Sequence, residues 1–152
     1  MVEAASDTAE AGQASAEVGL AVVHPWLCDA MGHLATRHYA VLFEDASYQL
    51  MAEFAPAPEE DAAAGLGWAD VRQEIAYHAE ISSGALLRVT GRVLRIGRSS
   101  IDTELRIAAR RDGRLHATMT GKTVRFDLAA RKAVPIDDAI RATLAARFAC
   151  EG

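Results

Sequence analysis

The chain has 152 residues, 51% of them hydrophobic, and a formal net charge of −5. That is one ordinary domain with enough apolar mass for a core, and it holds no apolar run long enough for a membrane-spanning helix. Residues 1–17 carry four acids (Glu3, Asp7, Glu10 and Glu17) and no Lys or Arg, so the remainder carries only −1 and offers no basic stripe to nucleic acid.

Residues 1–17 are rich in Ala, Ser, Glu and Gly and read as a disordered acidic tail, leaving residues 18–152 as a single domain. The N-terminus lacks the basic start and apolar core of a signal peptide. Cys28 and Cys150 lie far apart and form no metal or redox spacing, which suits a reduced, cytoplasmic setting. Leu20 to Val23 predicts a first strand, ended at Pro25. From His38 to Phe54, the residues Tyr39, Leu42, Phe43, Ala46, Leu50 and Phe54 recur at helical spacing and predict a long one-faced helix. Thr36 is the candidate N-cap, and Pro56 and Pro58 end the run. Glu59 to Gly67 predicts a loop or a short helical turn.

Strand patterns follow. Val71, Ile75 and Tyr77 oppose Asp70, Arg72 and Glu74 in parity. Leu87, Val89 and Val93 alternate with Arg88, Thr90 and Arg92, and Ile101 to Ile107 alternates likewise. Such alternation marks half-buried antiparallel strands. Asp112-Gly113 predicts a hairpin turn. Leu115 to Asp127 returns as a strand whose apolar parity shifts near Gly121, which predicts a bulge there. Pro135 is expected to open a last helix, with Ile136, Ile140, Leu144 and Phe148 four apart.

The densest chemistry lies between the first strand and the long helix, in Asp29-Ala30-Met31-Gly32-His33 and the residues up to Tyr39. A carboxylate aimed at a helix N-terminus is a plausible site, because free N–H groups there polarise a carbonyl or hold an anion. Asp29 can serve as base or nucleophile, or it can simply cap its own loop. His33 can orient a substrate or tune Asp29, or it can be a packed histidine. Glu44, about two turns into the helix, is a rival carboxylate or a solvated one. Arg98, Ser99 and Ser100 follow Gly97 between two strands and offer N–H groups, hydroxyls and a guanidinium to a phosphate, or form an ordinary turn. Cys28 beside an acid is a poor thiolate. No P-loop or Gly-x-Gly-x-x-Gly is present.

Asp-x-x-Gly-His (Asp29 to His33), Tyr39, Phe43-Glu44-x-Ala46, Tyr77 to Gly84, Gly97-Arg98-Ser99-Ser100 and Phe126-Asp127 resemble, in order and spacing, the hotdog-fold acyl-CoA thioesterases of the 4-hydroxybenzoyl-CoA thioesterase type. The resemblance implies an α+β hotdog fold. A five-stranded antiparallel sheet wraps a long central helix, a C-terminal helix follows, and a homodimer or homotetramer carries its sites at subunit interfaces. It implies an acyl-CoA thioester hydrolase with no metal and no cofactor, CoA entering as part of the substrate. Asp29 is then the base or nucleophile, the Thr36 N–H the oxyanion donor, and Arg98, Ser99 and Ser100 contacts to CoA. Glu44 would matter in a branch that uses a helix carboxylate. Relatives that carry Asn-Asn after His-x have Ala35 and Thr36 at those places here, so no side-chain amide role is expected. Two other readings are a hotdog enoyl-CoA hydratase, whose Asn-Pro is Met31-Gly32 here, and a non-catalytic acyl-CoA-binding module. The acyl group stays open.

Overall fold

A computed structural model describes residues 14–148. Most of the expected tail, and Cys150, lie outside these residues. The elements in order are β1 (Ala16–Val22), α1 (Thr36–Ala52), α2 (Pro58–Ala63), β2 (Leu66–Tyr77), β3 (Leu86–Ile96), β4 (Ser100–Ala109), β5 (Leu115–Asp127), the two-residue β6 (Lys132–Ala133) and α3 (Asp138–Phe148). All strand pairs are antiparallel, in the order β1-β3-β4-β5-β2, with β6 attached to the end of β5. The sheet packs one face onto α1, which is the hotdog arrangement the resemblance implies. Among the described residues no helix is long and apolar enough to cross a membrane.

The helix stripe is legible in its burial. Tyr39, Phe43, Ala46 and Leu50 are the buried residues of α1. They meet Leu87, Val89, Val93, Leu105, Ile107, Ala117 and Met119 of the sheet in one cluster. From α3, Ile140, Leu144 and Phe148 close the same core, with Phe148 edge-on to Phe54 at 6.4 Å.

Three expectations shift. The first strand starts at Ala16, inside the expected tail. Ala16 and Val18 are buried, and Ala16 pairs with Gly91. Removing residues 1–17 would therefore strip two residues from β1. Pro135 does not open α3, which begins at Asp138. Ile136 is nonetheless buried, because its N–H is tied to the Arg98 carbonyl at 2.9 Å. β5 has no bulge at Gly121, where pairing to both neighbours runs in register. The irregularity lies across the ladder, between Asp70 and Arg72 of β2, and Val71 is pushed out to 60% exposure. The parity change in β5 is a change of chemistry: its inward positions turn from Ala117 and Met119 to Thr123 and Arg125, which face a groove and an ion pair.

The helix approaches the sheet most closely at Gly91, an inward position of β3. A Cβ there would lie 2.8 Å from Leu105 Cδ2 and 3.2 Å from both Leu50 methyls. Neither neighbour has room to retreat, because both side chains are fully buried. Gly91→Ala should therefore cost about 1–3 kcal/mol through overpacking. The check is the denaturant midpoint; an unchanged midpoint would mean that α1 can slide on the sheet.

Candidate active site

Between β1 and α1 the chain makes a single 3-10 turn, Pro25–Leu27, and then a loop that hydrogen-bonds to itself. Asp29 N–H donates to the His33 carbonyl at 2.8 Å and Gly32 N–H to the Asp29 carbonyl at 3.0 Å. Gly32 has φ of +80°, the left-handed conformation that such a tight reversal needs and that glycine adopts without strain. Leu34 N–H reaches the Ile81 carbonyl at 2.8 Å, and Ala35 N–H reaches the Leu27 carbonyl at 3.0 Å. The loop is thus pinned to the segment before β3 and to its own start.

This geometry settles what Asp29 does locally. Its Oδ1 accepts from the N–H groups of Met31 at 2.8 Å and His33 at 3.2 Å. The capping role is real, and it consumes one carboxylate oxygen. Among the described residues Oδ2 has no hydrogen-bond partner, and the side chain is open to solvent. A carboxylate held by one oxygen presents the other in a fixed direction.

Thr36 is the first helical residue rather than the N-cap, which is Ala35. Ala35 has no side chain to cap the helix, so the N–H groups of Thr36 and Arg37 find no acceptor among the described residues, while His38 N–H bonds the Ala35 carbonyl. An uncapped first turn is expensive unless water or a ligand supplies the acceptor.

Asp29, His33 and Thr36 line one pocket of about 320 Å³, together with Tyr39, Tyr77 and Glu80. Glu80 is the residue that the sequence reading quotes without assigning. Its carboxylate lies 3.4 Å from His33 Nε2. The segment before it is fixed to the start of β5. His78 and Ala79 N–H groups both bond the His116 carbonyl, at 2.8 and 3.1 Å, and His78 Nε2 meets Thr118 Oγ1 at 2.9 Å. Tyr39 packs edge-on against Tyr77 with ring centroids 5.0 Å apart. Burial first, then Tyr77, Glu80 and Asp29, pushes the Tyr39 phenol pKa above its ordinary value, so it stays a neutral donor through the physiological range.

Glu44 is not in this pocket. It is exposed and lines a larger groove of about 700 Å³ between α1, the α1–α2 connection and the first half of β2. Ser47, Tyr48, Met51, Trp68, Asp70 and Thr123 share that groove. Beside it Arg125, only 2% exposed, forms a two-pronged ion pair with Asp61 and stacks over Trp68 at 5.1 Å. The hydrogen bond to Asp61 pushes the Arg125 pKa up and outweighs the opposing effect of burial.

Arg98, Ser99 and Ser100 lie at the far end of β3 from Asp29. The 11 residues of β3 separate the two ends, or roughly 35 Å at the usual rise per residue. The turn's carbonyls are committed. Those of Gly97 and Arg98 accept from the Arg141 guanidinium, and that of Ser99 accepts from Arg125 N–H at 2.8 Å. The Arg98 side chain is exposed and has no partner among the described residues.

A profile of the thioesterase-like superfamily matches residues 23–144. A comparison with curated proteins returned no match. Among solved structures, a hypothetical protein of Staphylococcus aureus determined in complex with CoA is similar with a TM-score of 0.81 at 14% identity, over 93% of this chain and 87% of that one. A 1,4-dihydroxy-2-naphthoyl-CoA thioesterase of Synechocystis is similar with a TM-score of 0.74 at 15% identity, over 88% and 96%. The dynemicin thioesterase gives 0.74 at 18% identity, over 90% and 97%.

The groove wall yields a stability test. Asp61→Ala leaves a buried guanidinium without its main partner, which typically costs about 3–5 kcal/mol. Urea unfolding should register that loss; a variant as stable as the parent would mean that water replaces the carboxylate. With the profile spanning most of the chain and the fold agreeing, the chain belongs to the thioesterase-like superfamily, and thioester hydrolysis is the general activity that this membership carries.

Proposed function

We propose that this chain hydrolyses an acyl-CoA thioester to the free acid and CoA, with Asp29 as the reacting carboxylate. The observation that carries the reading is the split role of Asp29: Oδ1 is held by two backbone N–H groups while Oδ2 stays free beside the uncapped start of α1. As a base, Oδ2 takes a proton from water, whose oxygen adds to the thioester carbon. The carbonyl electrons move onto oxygen, and the Thr36 N–H donates a hydrogen bond to that oxyanion. Collapse breaks the C–S bond, and the departing thiolate takes the proton. As a nucleophile, Oδ2 attacks the thioester carbon, the C–S bond breaks with loss of the CoA thiolate, and water hydrolyses the resulting mixed anhydride to the free acid and the Asp29 carboxylate. The S. aureus relative solved with CoA supports a CoA ester as substrate. His33, whose Nε2 lies 3.4 Å from the Glu80 carboxylate, would orient the loop face of the pocket.

The active unit in this reading is a homodimer. β2 is a 12-residue edge strand with Val71 and Tyr77 exposed. A bare edge of that length is ordinarily paired or covered. Its Tyr77 end borders the Asp29 pocket and its Trp68 end borders the Glu44 groove. Antiparallel pairing with a second copy brings each pocket beside the partner's groove and the partner's Arg98 turn. The thioester then sits at Asp29 while the rest of the substrate runs along the partner.

Asp29→Asn should keep the fold and the binding of CoA esters while lowering kcat about 10²–10⁴-fold. Glu44→Gln made in parallel should cost little. Free-thiol release across an acyl-CoA panel is the measurement. Loss of enoyl absorbance without thiol release would point to a hydratase, and binding without turnover to a carrier or sensor. A dead Glu44→Gln with an active Asp29→Asn would move the chemistry into the helix.

The shared site has its own test. Arg98→Ala should raise KM with little change in kcat, at a cost of about 1.5–3 kcal/mol for a lost charged hydrogen bond. Dimers formed by mixing Asp29→Asn chains with Arg98→Ala chains contain one site intact at both positions. They should regain the parent KM, and chains that carry complete sites alone would not.

A further inference from the structure

We infer that the Tyr39 hydroxyl is a second donor to the thioester carbonyl oxygen, beside the Thr36 N–H, so that the oxyanion is held by one backbone and one side-chain hydrogen bond. The inference rests on the reading of the Asp29 pocket as the thioester site.

The argument begins with position. Thr36 opens α1, and Tyr39 stands three residues later, one turn along the same face. Side chains on a helix tilt toward its N-terminus. The Tyr39 side chain therefore runs back along the helix toward the open N–H groups of the first turn, and both residues line the same pocket. Tyr39 is 5% exposed, yet no group among the described residues hydrogen-bonds its hydroxyl. A buried phenol normally finds a partner. Here the ring belongs to the core and the oxygen opens into the pocket, where its natural acceptor is a ligand.

The electrostatics agree. Burial and the neighbouring Tyr77, Glu80 and Asp29 favour the neutral phenol, which can donate, over the phenolate, which cannot. A substrate carbonyl gains negative charge only as the thioester carbon is attacked, so a donor placed there strengthens as the reaction proceeds. The open N–H groups of Thr36 and Arg37 both point along the helix axis. A hydroxyl from one turn deeper approaches from a different direction and completes a two-donor cradle.

The test is Tyr39→Phe, assayed beside the parent chain and Asp29→Asn on the best acyl-CoA ester. Phe keeps the ring and its edge-on packing against Tyr77. Because the hydroxyl has no protein partner, the melting temperature should hold. Loss of one oxyanion donor typically costs about 10²–10³-fold in kcat; for a donor that shares the oxyanion with a backbone N–H, about 10²-fold is expected, with KM nearly unchanged. A parent-like kcat in Tyr39→Phe while Asp29→Asn is inactive would overturn this inference and leave the thioesterase reading standing. So would a kcat loss that comes with a matching loss of melting temperature, since that marks packing. A parent chain that releases no thiol from any ester would overturn both.

Discussion

The structure depends on how closely α1 can lie on the sheet. The contact is made where β3 has no side chain, at Gly91, so that Leu50 and Leu105 meet over bare backbone. With the helix seated there, its stripe from Tyr39 to Leu50 faces the strands and its two flanks are fixed. One flank carries Glu44, Ser47 and Tyr48 over the first half of β2 and makes a groove. The N-terminal end comes to rest beside Tyr77, at the other end of the same strand. Where chemistry is possible is thus set by packing far from any reactive group.

The Asp29 loop resolves what looks like a choice between structure and reactivity. A carboxylate that accepts two backbone N–H bonds is usually read as a capping group. Here both bonds go to one oxygen. The capping is what gives the free oxygen its direction, because the side chain cannot rotate without losing them. Preorganisation of this kind saves the ordering that a mobile carboxylate would need on binding. The same economy governs the helix end. Ala35 leaves Thr36 N–H and Arg37 N–H without a cap, a small loss in helix stability that keeps an electrophilic pole open beside Asp29.

Much of the fold was legible because periodicity is a direct consequence of burial. The 3.6-residue stripe of α1 and the alternation in β3 and β4 reappear as buried residues. Two of the misreadings share a cause. Wherever an inward position is polar or small, composition no longer reports direction. Ala16 looks like tail but is core, because a small residue suffices where β1 meets Gly91. Thr123 and Arg125 look like an outward face but point inward, because a groove and the Asp61 ion pair accept them. In the site, the order and spacing of Asp29, His33 and Thr36 carried the reading, and the structure does bring those three together. Tyr39 and Glu80 stand in stretches that the sequence marks, but their placement against the pocket shows only in the folded chain. Their relevance comes from placement, Glu80 through the pairing of residues 78 and 79 with His116, and Tyr39 through a ring in the core whose hydroxyl has no partner among the described residues.

The separation of the two cavities is what motivates the proposed dimeric unit. A CoA ester is long, and the candidate groups for its two ends lie at opposite ends of a strand in one chain. Widening one chain to span them would require a cleft through the helix–sheet contact at Gly91, the part of the structure with the least room. Pairing two copies along β2 solves the same problem at the edge, where backbone groups already await partners and where the displaced Val71 leaves apolar surface to cover. The bulge at that residue adds local twist to β2. Twist at the midpoint turns the two halves of the strand relative to each other, so the Asp29 end and the Trp68 end need not face the same way in one chain. The proposed shared site would reconcile a tightly packed core with the proposed extended substrate.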